Sequence, residues 1–112
     1  MSPNPVTVIP AATPGAAVAH FNVQLSLETD PADVAAALAA GEDPGFVLLD
    51  ARSAEAFAAG HVPGAYNLDR PFTAEAIASL PAGLIVVYCW GPSCNGATNA
   101  AVQLASAGRP VK

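Results

Sequence analysis

The segment FVLLDARSAEAFAAGHVPGAYNL, residues 46–68, predicts a strand, a short helix and a second strand in close succession. The continuous apolar run Phe46–Asp50 is typical of a buried parallel strand. Ser53 is a favourable N-cap for a short helix, and the turn residues after that helix lead into a short strand at Ala65–Leu68. We therefore expect Asp50 to lie at the carboxyl end of a strand.

Strand and helix signals alternate on both sides of this segment. The further predicted elements are a half-buried strand at Phe21–Glu28, a helix after the N-cap Asp30, a short helix that begins at Thr73, a strand at Leu84–Cys89 and an alanine-rich helix that Gly108 ends. This alternation predicts an α/β fold with a parallel sheet covered on both faces. Ligands of such sheets bind beyond the carboxyl ends of the strands, where Cys89 is also expected.

Length and composition limit the classes of function. A chain of 112 residues forms one domain, and we expect the Pro/Ala-rich residues 1–19 to be a flexible tail before a domain at residues 20–112. The net charge is −5 and the four basic residues are scattered, which argues against nucleic-acid binding. The sequence lacks an apolar run long enough to cross a membrane, and because no lysine or arginine precedes Arg52 we expect no signal peptide with a basic start. With only two cysteines, we expect a cytoplasmic protein.

Both cysteines lie in VVYCWGPSCNGAT, residues 86–98, where a strand signal ends. A structural zinc site needs about four ligands, and His20 and His61 do not complete one at a recognised spacing, so we expect no metal and no cofactor. A disulfide between Cys89 and Cys94 would close a very short loop and contribute little stability. A reversible redox disulfide remains an alternative, as does a Cys89 that only fills space at the end of a strand.

The residues after Cys89 are mostly small or turn-forming. They include Gly91, Pro92, Ser93, Asn95 and Gly96. Such a segment can direct successive backbone N–H groups inward, and the helix that follows adds its positive end. We expect these donors to converge on the sulfur of Cys89, to stabilise its thiolate and to hold the anionic group that it attacks or carries.

Two blocks of the chain resemble the signature of rhodanese-like domains. The first is residues 46–68, with Asp-x-Arg followed by Gly-His-x-Pro-Gly-Ala and Asn-Leu, and the second is VVYCWGPSCNGATNAA, residues 86–101. The resemblance implies a three-layer α/β domain with a central parallel sheet. It also implies sulfur transfer, in which Cys89 takes sulfane sulfur from a small donor such as thiosulfate and becomes a persulfide. The acceptor would be cyanide, a thiol or a sulfur-accepting protein.

The same resemblance implies roles for further residues. The loop around the persulfide would consist of Trp90, Gly91, Pro92, Ser93, Cys94, Asn95 and Gly96. Asp50 and Arg52 match an acid and a base that hold the surrounding loops, and His61 matches a histidine expected to be a hydrogen-bonded core residue. The loop is longer than in common single-domain members and contains no arginine. This departure weakens thiosulfate as the physiological donor, and it argues against phosphatase relatives that clamp phosphate with an arginine.

Several alternatives stay open at this level. Cys94 either attacks a persulfide or sulfenic acid on Cys89 and forms a disulfide, or only fills space where the loop enters its helix. A non-catalytic or redox-sensing binding module that uses Cys89 and Cys94 is the alternative to a sulfurtransferase. The family pattern continues past GRPVK, residues 108–112, with a final strand and helix. We expect the sheet to lack these elements, with lower stability or completion by a partner, and we leave the oligomeric state open.

Overall fold

A parallel sheet lies at the centre of the protein, whose structure is a computed structural model that describes residues 2, 4–41, 43–68, 71–91 and 93–112. In the described residues the sheet has three strands in the order β2-β1-β3, namely β1 (Val47–Asp50), β2 (Tyr66–Asn67) and β3 (Ile85–Tyr88). Both pairings of β1 are parallel, with Leu49 opposite Tyr66 and Asp50 opposite Tyr88. This confirms the predicted α/β class with a central parallel sheet.

Helices connect the strands and lie on both sides of the sheet. They are α1 (Pro14–Leu27), α2 (Pro31–Ala39), α3 (Ala54–Ala59), α4 (Ala74–Ala78) and α5 (Gly96–Ser106). Asp30, Ser53 and Thr73 cap α2, α3 and α4, because each side-chain oxygen accepts the backbone N–H three residues further on. In the described part of the chain, none of these helices has the length and apolar character needed to cross a membrane.

The hydrophobic core lies where the sheet meets α4 and α5. Its buried members are Val47, Leu49, Ile77, Leu80, Ile85 and Leu104. Leu49, Ile85 and Leu104 are fully shielded from solvent, so one residue from each of β1, β3 and α5 forms the centre of the core. This packing holds α5 against β3 and thereby places the loop between them.

The last residues of the chain extend the sheet beside β3. Ile85 N–H donates to Pro110 O at 2.9 Å, Lys112 N–H donates to Ile85 O at 2.9 Å, and Val111 forms a parallel bridge with Ile85. Val87 N–H in turn donates to Lys112 O at 3.0 Å. The segment GRPVK therefore pairs with the edge of β3 through one isolated parallel bridge and not through a further strand of the described chain.

The strand predicted at Phe21–Glu28 is wrong, because these residues continue or end α1. The helix begins at Pro14, inside the segment predicted to be a flexible tail, and Thr13 Oγ1 caps it by accepting Ala16 N–H at 3.3 Å. A helix satisfies its own backbone hydrogen bonds, whereas a strand needs a neighbouring edge. Phe21 is 58 % exposed, so the alternation of apolar residues does not reflect burial here. The domain boundary at residue 20 stays a prediction.

Candidate functional site

The ends of two adjacent strands bring the predicted site residues together. Asp50 is the last residue of β1, Tyr88 is the last residue of β3, and the register pairs them directly. Cys89 follows Tyr88 without an intervening residue and begins the loop that leads to α5. The site therefore lies at the carboxyl edge of the sheet, where parallel α/β folds place their ligands.

Asp50 is a buried carboxylate with a complete set of hydrogen bonds. Its side chain is inaccessible to solvent and accepts Arg52 Nε at 3.0 Å, Arg52 Nη2 at 2.7 Å and the Tyr88 hydroxyl at 2.9 Å. The backbone N–H of Arg52 adds a fourth donor at 2.9 Å. Burial disfavours the ionised form, but the hydrogen bonds from Arg52 and Tyr88 outweigh it, so the pKa of Asp50 lies below its usual value.

Arg52 links three segments around this carboxylate. Its Nη2 donates both to Asp50 and, at 2.6 Å, to the carbonyl of Gly60, which ends α3. Its guanidinium carbon lies 4.6 Å from the ring centroid of Trp90, within the range of a cation–π contact. The hydrogen bonds to Asp50 raise the pKa of Arg52 further above its usual high value, so its positive charge is permanent.

Tyr88 and Asn67 complete the cluster, and neither was predicted from the sequence. The Tyr88 hydroxyl accepts Val62 N–H at 3.2 Å while it donates to Asp50, and burial is the main reason that the pKa of Tyr88 is raised. Asn67 Nδ2 donates to the carbonyls of Asp50 at 3.0 Å and Arg52 at 2.9 Å. The sequence signals were the Asn-Leu of the first motif block, which contains Asn67, and the position of Tyr88 near the end of a predicted strand.

The cysteine loop turns back on itself so that both sulfurs face α5. Cys94 N–H donates to Gly91 O at 3.0 Å, and this turn brings the Cys94 carbonyl to 3.5 Å from Cys89 Sγ, which donates to it. Gly96 N–H donates to Cys94 Sγ at 3.4 Å. Both cysteines are thiols, and both are partly buried.

These contacts differ from the predicted convergence of amides on Cys89. The Cys89 sulfur faces a carbonyl oxygen, whereas Cys94 Sγ receives the Gly96 amide at the start of α5. The reason is the turn from Gly91 to Cys94, which directs a carbonyl rather than an N–H toward the strand end. In this arrangement the Cys89 side chain is a hydrogen-bond donor to the Cys94 carbonyl.

Most of the other predicted site residues are exposed to solvent. Trp90, Gly91, Ser93 and Asn95 are exposed, and Pro92 lies outside the described residues. His61 is not a core residue as predicted: it is exposed, its ring stacks on Phe57 with centroids 3.5 Å apart, and its Nδ1 lies 2.7 Å from Phe57 O. The described residues include no group of three or more histidine, cysteine or acidic side chains arranged to hold a metal ion.

The domain combines a parallel sheet, a cysteine directly after β3 and an Asp-x-Arg motif at the end of the neighbouring strand β1. This combination defines a recognisable class of protein. The sequence profile of the rhodanese-like domain matches residues 30–112. The chain belongs to the rhodanese-like domain family, as the two sequence blocks predicted.

Solved structures and a curated relative are consistent with this assignment. The chain is 38 % identical to the BH2092 protein of Bacillus halodurans, with a TM-score of 0.82 over 88 % of this chain and 73 % of that one. A protein of Lactobacillus plantarum is 28 % identical, with a TM-score of 0.66 over 87 % of this chain and 82 % of that one. The chain is also 41 % identical over 66 residues to the HTH-type transcriptional regulator Rv0324 of Mycobacterium tuberculosis. The match covers 58 % of this chain and only 29 % of that regulator's length.

Proposed function

We propose that this rhodanese-like domain is a sulfurtransferase in which Cys89 carries sulfane sulfur as a persulfide. The observation that carries the proposal is the position of Cys89, a partly buried thiol directly after β3 at the carboxyl edge of the sheet. In the loading step, the Cys89 thiolate attacks the outer sulfur of a donor such as thiosulfate. The S–S bond of the donor breaks, sulfite leaves with the electron pair, and Cys89 keeps the sulfur as a persulfide.

The surroundings of Cys89 support transfer to a small acceptor. Trp90 is 71 % exposed and Ser93 is also exposed, so solvent and small molecules reach the loop. A thiol or cyanide then attacks the outer sulfur of the persulfide, and the Cys89 thiolate leaves. A sulfur-accepting protein would react through its own thiol in the same way. Such thiol chemistry fits a reducing compartment, and we therefore place the protein in the cytoplasm.

The charges around the loop bear on the donor. The Arg52 guanidinium is directed to Asp50, Gly60 and the Trp90 ring, and the loop itself has no arginine. A dianionic donor would therefore rely on backbone amides rather than on a guanidinium clamp. We expect a persulfide donor that carries less negative charge than thiosulfate to load Cys89 faster than thiosulfate does.

Intact-mass measurement tests this function directly. The protein is incubated with thiosulfate or with inorganic polysulfide, and the mass of one added sulfur atom is sought in wild type, Cys89→Ser and Cys94→Ser. We expect the added sulfur in wild type or Cys94→Ser and none in Cys89→Ser. Sulfur that loads equally well on Cys89→Ser would overturn the assignment of Cys89.

The relative named a transcriptional regulator favours a second candidate function. In that case the domain is a redox-sensing module, in which peroxide oxidises Cys89 to a sulfenic acid and Cys94 displaces water to form a disulfide. Peroxide treatment, followed by counting of thiols that react with N-ethylmaleimide, tests it. Rapid loss of both thiols in a protein that no sulfur donor loads would favour sensing over transfer.

A further inference from the structure

Cys94 has no role in the proposed sulfur transfer, which uses Cys89 alone. Its sulfur does not point away from the site: a Cβ atom placed on Gly96 would lie 3.3 Å from Cys94 Sγ and 3.9 Å from Cys89 Sγ. The two sulfurs therefore flank the same point in space, and they are still separate thiols. A sulfur attached to Cys89 would be formed beside a second thiol of the same loop.

Gly96 is what leaves this space open. A Cβ there would lie 3.3 Å from Cys94 Sγ, closer than usual, and in ordinary van der Waals contact with Cys89 Cβ at 3.5 Å, so Cys94 Sγ would have to shift by a few tenths of an ångström. The absence of a Cβ is not required by backbone conformation, because Gly96 is not among the glycines of positive φ in the described chain. The Cys94 sulfur and the Cys89 side chain that face this position are therefore the physical reason that a glycine suits it.

The electrostatic surroundings distinguish the two sulfurs. Cys94 Sγ accepts the Gly96 N–H at 3.4 Å in the first turn of α5, where the helix dipole favours negative charge. Cys89 Sγ faces the Cys94 carbonyl oxygen at 3.5 Å, an acceptor. Of the two, Cys94 has the surroundings of an attacking thiolate once Cys89 has been loaded.

We propose that Cys94 is a second catalytic residue that discharges the Cys89 persulfide as hydrogen sulfide. This inference rests on the proposed function of Cys89. The Cys94 thiolate attacks Sγ of Cys89, a Cys89–Cys94 disulfide forms, and the persulfide S–S bond breaks. The terminal sulfur leaves as HS⁻, so this sulfur gains the two electrons that the two cysteines lose. An external dithiol reductant then restores both thiols for another cycle.

A single-turnover experiment separates this step from loading. Wild type, Cys94→Ser and Ser26→Ala are treated with inorganic polysulfide, freed of excess reagent and incubated without acceptor. Released sulfide, retained sulfane sulfur and thiols that react with N-ethylmaleimide are then measured. We expect wild type to release sulfide and to lose both thiols. Ser26→Ala, altered at an exposed serine of α1 outside the cysteine loop, should do the same, whereas Cys94→Ser should keep its persulfide.

The outcomes distinguish this inference from the function on which it rests. If Cys94→Ser loads sulfur but wild type holds its persulfide just as long, Cys94 is not a catalytic residue although sulfur transfer stands. If neither wild type nor Cys94→Ser acquires sulfur or releases sulfide, the proposed function itself fails. A slower release, by roughly tenfold or more, in a folded Gly96→Ala variant would support the placement of both cysteine side chains beside Gly96, because small displacements of reacting groups cost this much.

Discussion

The carboxyl edge of the sheet holds two neighbouring regions that are built in opposite ways. The Asp-x-Arg cluster, defined as Asp50, Arg52, Asn67 and Tyr88, is largely buried and internally hydrogen-bonded. The cysteine loop, residues 89–96, consists mainly of small residues, is more exposed and contains two thiols. The two regions meet where the Arg52 guanidinium lies over the Trp90 ring at 4.6 Å.

This difference separates stability from chemistry. A buried carboxylate whose lone pairs are occupied cannot exchange ligands without a large cost, but it anchors β1, β3 and the end of α3 to each other. The loop has fewer such constraints, so a sulfur atom can be added to Cys89 and removed again. Substitutions in the cluster should therefore change mainly the free energy of unfolding, and substitutions of the thiols should change mainly the reaction.

The largest effect is expected for Cys89→Ser. Serine has nearly the same size, but its hydroxyl does not form a persulfide, so transfer of sulfur from thiosulfate or polysulfide to cyanide should fall about 10³-fold or more. The free energy of unfolding should change by no more than about 0.5 kcal/mol. Thiocyanate formation and urea denaturation measure the two quantities. A loss of unfolding free energy as large as that expected for the Asp-x-Arg cluster would show that Cys89 has a structural role.

The next largest effect is expected for Asp50→Ala. Removal of the carboxylate leaves the Arg52 guanidinium and the Tyr88 hydroxyl without their shared partner, which should cost about 3–5 kcal/mol of unfolding free energy. Asp43→Ala is the matched control, because Asp43 is exposed and its side chain accepts the N–H of Gly45, two residues further on. Urea denaturation of both variants tests this. Equal, small losses would contradict the anchoring role of Asp50.

Protonation of Asp50 should also lower the free energy of unfolding, but by less than its removal does. Because the pKa of Asp50 is lower in the folded than in the unfolded chain, its contribution is complete above the usual aspartate pKa of about 3.9. It is lost as the pH falls from there through the folded-state value. Unfolding free energies between neutral and acid pH should therefore decline less steeply in Asp50→Asn than in wild type. If the unfolding free energies of the two proteins decline equally with pH, the pH dependence does not come from Asp50.

The smallest effect is expected for Trp90→Ala, which breaks the contact between the two regions. Loss of an exposed cation–π interaction should cost about 0.5–1 kcal/mol of unfolding free energy. Phe21→Ala provides the control, since Phe21 is also an exposed aromatic residue but lies on α1 away from any described guanidinium contact. Thermal unfolding of the two variants compares them. If Phe21→Ala lowers the unfolding free energy as much as Trp90→Ala does, the contact between Arg52 and Trp90 does not contribute to stability.

Local signals were sufficient for much of the fold. The run Phe46–Asp50 contains almost only large apolar residues, and the caps Asp30, Ser53 and Thr73 each bond the N–H three residues ahead, so their elements form where predicted. The alternation in residues 21–28 misled because a period of two indicates a strand only where a neighbouring edge and a core exist. Neither can be inferred from the segment itself.

The amino-acid sequence alone was enough to place Cys89 after a strand and to identify the rhodanese-like family, because apolar runs, caps and the two motif blocks are properties of short segments. Tertiary structure decided which groups meet. The parallel register places Tyr88 beside Asp50. The Trp90 ring lies against the Arg52 guanidinium. The loop after Gly91 directs a carbonyl toward the Cys89 sulfur and an amide toward the Cys94 sulfur. These outcomes depend on the packing of α5 against β3, since hydrogen bonds over distances of a few ångströms are set by the relative positions of elements distant in sequence.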